Sequence, residues 1–127
     1  MQSSDGRPIY LDLMKIKLPM PGIISIMHRV FGVLLSFSIP LFTYLFALSL
    51  QSEAGFMQVA AFLNHPLIIL ICFGFLWGFV HHLFAGIRYL LLDLEIGVDK
   101  EMSGKSSYVV LVSAIVVSFL LALGIWL

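Results

Sequence analysis

The chain has 127 residues, 61% of them hydrophobic and only 11% charged, with seven basic and seven acidic side chains that cancel. An ordinary soluble domain carries about 25% charged residues, so composition excludes a water-soluble globule. The balanced charge also excludes the basic footprint that nucleic-acid binding requires.

Residues 1–22 form a polar leading segment in which Pro8, Pro19 and Pro21 oppose a continuous helix. It has neither the apolar core of a secretory leader nor the Arg- and Ser-rich character of a transit peptide. We therefore expect a bacterial inner-membrane protein, a mitochondrial inner-membrane location being the weaker alternative. Beyond it the apolar residues fall in three blocks, about 23–50, 67–92 and 108–127. Each meets the length of about 20 residues that crosses the hydrocarbon core. The expected fold is all-α, one domain over 1–127, with three transmembrane helices in a bundle completed by other chains and embedded in the lipid bilayer.

The first block opens with Ser25, His28, Arg29 and Gly32, spaced so that all four share one helical face. Arg29 keeps its charge at this depth and needs an anion or a strong acceptor, such as a haem propionate or a quinone carbonyl. Ser25 adds a hydroxyl suited to a quinone oxygen. Further along, Pro40 removes one backbone hydrogen bond and predicts a bend. The connection from Gln51 to Pro66 reads as a loop, with a turn at Ser52–Gly55 and no Lys or Arg.

The second block carries the most informative residue, His82. Ionisable side chains inside a spanning helix are expensive and usually mark a ligand, a proton path or a polar pocket. A neutral imidazole there also suits an axial ligand of haem iron. His82, Gly86, Tyr89 and Asp93 fit one helical face, and Gly86 leaves room for a flat cofactor. Gly74 and Gly78 extend a small-residue groove in the other direction. His82 lies about 16 Å below Asp93, near mid-membrane. His81 points about 100° away, on the side of Ala85 and Arg88, where a packing role fits better than a ligand role. The single Cys72 is read as a buried apolar group.

A loop rich in Asp93, Glu95, Asp99 and Glu101 follows, with Lys100 and Lys105. The third block has no charged residue, and only Ser113 and Ser118 interrupt its apolar interior. It reads as passive packing or lipid-facing surface. Arg7, Lys15 and Lys17 before the first span, and the two lysines in the last loop, put the N-terminus in the cytoplasm by the positive-inside rule.

Could His28 and His82 clamp one haem from both sides? Counted from the far ends of their spans, His28 lies about 33 Å from Leu50 and His82 about 24 Å from Pro66. That offset predicts one axial ligand from this chain and the other from a partner.

The chain resembles the cytochrome b large anchor subunit of succinate dehydrogenase, respiratory complex II. The resemblance covers nearly the whole length. It rests on Arg7-Pro8, on Ser25-x-x-His28-Arg29-x-x-Gly32, and on His82-x-x-x-Gly86-Ile87-Arg88-x-Leu90-x-x-Asp93. The resemblance implies that His82 is an axial ligand of a single haem b, with a smaller anchor subunit supplying the other ligand. It implies that Ser25 and Arg29 belong to a ubiquinone pocket at the iron–sulfur subunit. His28, with Arg29, would lie near the haem propionates. Asp93 matches an acidic position that helps protons reach the quinone. Many members carry His where this chain has Tyr89.

The function expected is that of a non-catalytic anchor which docks a flavoprotein and an iron–sulfur subunit and helps build the quinone site. The alternatives are a fumarate reductase-type anchor with the same architecture and a haem-free transport or assembly subunit.

Overall fold

The computed structural model describes residues 17–126, so Arg7, Pro8 and Lys15 lie outside the described residues. Four helices follow in chain order: α1 (Met20–Gln51), α2 (Glu53–Leu63), α3 (Pro66–Asp93) and α4 (Lys100–Trp126). There is no strand among the described residues. Three of the helices are long and apolar enough to cross a membrane, which makes this a multi-pass, all-α membrane protein.

Each start has a local cause. Pro21 sits in the first turn of α1, where a missing N–H costs nothing. Pro66 plays the same part in α3, and the His65 side chain caps that helix by accepting from the Leu67 amide. Pro40 stands inside α1, yet the helix runs on to Gln51. Nearby hydroxyls are satisfied within the helix: Ser36 donates to the Gly32 carbonyl, Ser38 to Leu35 and Thr43 to Ile39. In lipid, where water offers no partner, such local bonding is required.

Two elements differ from the sequence reading. The supposed first loop contains α2, eleven residues long, capped by Ser52 Oγ accepting from the Gly55 amide at 3.0 Å. It folds back against α1 so closely that Gly55 meets the Leu48 carbonyl, and a side chain there would collide with backbone. The third span starts at Lys100 rather than near 108. Asp99 Oδ1 accepts from the Met102 amide at 2.9 Å, an N-cap that recruits the polar stretch 100–107 into the helix. Glu101 and Lys105 add an exposed pair one turn apart, worth a few tenths of a kcal/mol. Between α3 and α4 the backbone reverses through Glu95 and Gly97, both at positive φ.

The central element is α3, packed between α1 and α4, with α1 and α4 also in contact. Its packing face is Gly78, His81, Ala85 and Arg88, all buried and spaced three or four apart. Facing it, α4 presents Ser107, Val110, Ala114 and Ser118, also buried. Small residues let transmembrane backbones approach closely, so van der Waals contact holds the pair. Ile24, Ala85 and Val110 form the small common core, flanked by Met20, Phe84, Tyr89 and Leu111. Most large apolar side chains, among them Phe37 and Leu50, remain exposed. A bundle with its apolar surface outward suits lipid and neighbouring subunits rather than water.

Candidate haem and quinone site

His82 projects from α3 towards α1, and its ring lies face to face with that of His28. The centroids are 4.1 Å apart and the planes 2° from parallel. Nδ1 of His82 is 3.0 Å from the His28 backbone carbonyl. A carbonyl oxygen can only accept, so Nδ1 carries the proton. In the neutral imidazole Nε2 is then the nitrogen with a lone pair available to a metal. Fixing an imidazole tautomer through its other nitrogen is the usual support of a metal-binding histidine.

Glycine makes this approach possible. A Cβ on Gly32 would stand 2.9 Å from Cε1 of His82, closer than side chains tolerate. Gly86 lies under the other ring, where a Cβ would be 3.6 Å from Nε2 of His28. Tyr89 closes the set with its ring edge-on to His28 at 5.2 Å. His28, His82, Leu83, Gly86, Tyr89 and Leu90 line an open groove on this side of the bundle. Among the described residues, no group of three or more His, Cys, Asp or Glu side chains could hold a metal alone.

The stacking corrects the depth offset read from the sequence. His28 lies eight residues in from Met20, and His82 lies eleven residues before Asp93. Measured from these shared ends the depths are about 12 and 16 Å, so the rings meet. The far ends mislead because α1 outruns its neighbour and turns into α2. The offset is therefore wrong, and the two rings stack face to face. Two rings lying flat on one another cannot direct nitrogens at opposite faces of one iron.

Ser25 and Arg29 form a second pair one turn away on α1. Arg29 Nη2 donates to Ser25 Oγ at 3.0 Å, and the Arg29 side chain is exposed. Among the described residues no carboxylate pairs with it. Asp93 is exposed at the end of α3 and is not hydrogen-bonded to the histidine pair.

Other residues take roles the sequence did not reveal. Gly74 and Gly78 both line an apolar cleft between α1 and α3, and Phe31 packs against Gly78 so closely that a Cβ there would stand 2.8 Å from Phe31 Cδ1. His81 is fully buried between Phe31 and Trp77, and neither ring nitrogen has a hydrogen-bond partner among the described residues. Arg88 is 5% exposed and spans to α4, donating from Nε to Ser106 Oγ at 2.8 Å and from Nη2 to the Ser103 carbonyl and hydroxyl. Ser103 and Ser106, three apart just before a long apolar run, were the available signal for that contact.

The fold is that of a multi-pass membrane helical bundle, with a stacked histidine pair between α1 and α3 and a serine-held arginine one turn away. The chain belongs to the succinate dehydrogenase/fumarate reductase transmembrane subunit family, which matches residues 3–122. It is 35% identical over 121 residues to the succinate dehydrogenase cytochrome b556 subunit of Coxiella burnetii, covering 94% of this chain and 97% of the relative. The cytochrome b556 subunit of Paracoccus denitrificans is 31% identical over 115 residues, 91% and 88% of the two chains. The cytochrome b560 subunit of Reclinomonas americana is 32% identical over 128 residues, 96% and 85% of the two. The chain is thus a membrane-anchor subunit of the succinate dehydrogenase cytochrome b type.

Proposed function

We propose that this chain binds one haem b through His82, shares it with a smaller anchor subunit that supplies the second axial ligand, and contributes Ser25 and Arg29 to a ubiquinone-reduction site. The observation that carries this reading is the hydrogen bond from His82 Nδ1 to the His28 carbonyl, which leaves Nε2 as a ligand. Gly32 and Gly86 supply the clearance that the ring pair needs. The haem, when bound, supplies a one-electron redox centre beside the quinone pocket.

The rest of the chemistry falls to this chain's own side chains. In the complex, succinate loses two electrons and two protons at a flavoprotein, and an iron–sulfur subunit passes the electrons to the anchor. Quinone gains two electrons and two protons to become quinol. Arg29, held by Ser25, donates hydrogen bonds to a quinone oxygen as negative charge grows there. Its side chain comes pre-oriented, so little reorganisation is needed at the moment of reduction. Asp93, exposed at the rim, receives protons from the cytoplasm for delivery to the quinone. His28 and Arg29 would face the haem propionates if the haem binds as the resemblance implies. The location is the bacterial inner membrane, with the N-terminus in the cytoplasm.

The test is purification of the tagged chain from its native membrane in mild detergent, followed by a succinate:ubiquinone reductase assay. Co-purification of a flavoprotein, an iron–sulfur protein and a second small membrane subunit, with activity, is the expected result. An intact preparation that contains none of them contradicts the proposal.

A further inference from the structure

Arg88 is a buried cation whose partners among the described residues are all neutral. Its three hydrogen bonds go to two hydroxyls and a carbonyl, and its guanidinium also lies 5.5 Å from the Tyr89 ring centroid. Among the described residues no carboxylate approaches it. Taking an unpaired charge out of water costs several kcal/mol unless an anion or excellent hydrogen bonding compensates. Nε and Nη2 are engaged with α4, whereas Nη1 makes no hydrogen bond among the described residues.

The guanidinium borders a crevice between α3 and α4, on a different face from the histidine pair. Ser106 joins Arg88 at the end nearer the α3–α4 connection. Below them Phe84, Val109 and Val110 make an apolar channel towards mid-membrane, with Ser113 at its far end. Because α3 and α4 run antiparallel, Phe84 and Ser113 lie at the deep end, and Arg88 and Ser106 at the shallow one. Arg88 is five residues from the end of α3, about 8 Å along its axis, a depth suited to the headgroup boundary. The first turn of α4, starting at Lys100, adds the positive end of a helix dipole on the same rim.

We propose that this α3–α4 crevice is a binding site for an anionic phospholipid, its phosphate on Arg88 Nη1 and one acyl chain along Phe84, Val109 and Val110. A polar, charged end joined to an apolar channel matches an amphiphile. A free phosphate would use only the first half. The lipid supplies a counter-charge and fastens α4 to α3 from the outside, independently of haem or quinone.

The test uses the intact complex, purified in detergent and exchanged into nanodiscs of phosphatidylcholine with a minor fraction of phosphatidylglycerol. Native mass spectrometry then reads the lipid retained on this subunit. Val109→Trp fills the channel without touching the arginine's hydrogen bonds; Arg88→Gln removes the charge. The expected result is selective retention of phosphatidylglycerol by the natural chain, reduced about tenfold or more in either variant. Inorganic phosphate should not displace it. Equal retention of both lipids, unchanged phosphatidylglycerol retention in Val109→Trp, or displacement by inorganic phosphate would each overturn the proposal. If Arg88→Gln does not assemble, Val109→Trp decides the matter alone.

Discussion

The imidazoles of His28 and His82 stack in parallel at 4.1 Å, and the backbone carbonyl of the first holds the ring of the second by its Nδ1. One residue thus does two things for the other. Its ring limits the tilt of His82, and its carbonyl sets the tautomer. Because the bond comes from backbone, it survives substitution of the His28 side chain. The roles of the two histidines are therefore separable by experiment.

Gly32 sets how close α1 and α3 come at this pair. A Cβ there would stand 2.9 Å from His82 Cε1, so Gly32→Ala should displace the ring and cost about 1–3 kcal/mol of fit. We expect lower haem content and a shifted haem spectrum in the purified complex. Gly74→Ala is the control, since a Cβ there meets nothing within 4 Å. Equal haem spectra in the two variants would show that the ring does not need that space.

Arg29 and Ser25 should act on turnover rather than on assembly. Arg29→Ala removes a charge-assisted donor worth about 1.5–3 kcal/mol, so succinate:quinone reductase activity should fall about tenfold or more while haem and subunit content persist. Ser25→Ala should fall less, since it removes only the residue that orients the guanidinium. Steady-state kinetics against quinone concentration check both. Unchanged kinetics in Arg29→Ala would remove it from the quinone pocket.

Arg88 should act on stability. Arg88→Ala removes three hydrogen bonds between α3 and α4 and takes the donor away from the Ser103 hydroxyl, while Ser106 keeps its bond to the Ser103 carbonyl. A loss of about 2–4 kcal/mol is expected, seen as a lower melting temperature of the detergent-solubilised complex. Val33→Ala, at an exposed position of α1, should leave that temperature nearly unchanged.

The three spans were legible because a run of some twenty apolar residues matches the thickness of a bilayer and exceeds what a short buried helix needs. The two motif faces were legible for a related reason. A spacing of three and four places Ser25 with Arg29, and His82 with Gly86, whatever the tertiary fold. His81 was likewise read as a packing residue on the side of Ala85 and Arg88, and it is buried there. What escaped was information that lives between helices. Which ends of α1 and α3 align decides whether His28 meets His82, and no count along one helix contains that alignment. The Arg88 contact was hidden because its acceptors lie 15 and 18 residues away in a stretch that reads as loop. The α2 segment is too short to span and begins with a single capping serine, a weak signal beside Gly55.

If His82 ligates the haem and His28 only supports it, the two side chains should differ sharply when each is removed. The decisive experiment compares reduced-minus-oxidised visible spectra of the purified complex for the natural chain, His82→Ala and His28→Ala. About one b-type haem per chain is expected in the natural protein, consistent with a single axial histidine from this subunit. That haem should be lost or markedly loosened in His82→Ala, and retained with a shifted spectrum in His28→Ala. An unaltered haem spectrum in His82→Ala, or complete loss confined to His28→Ala, would contradict the assignment.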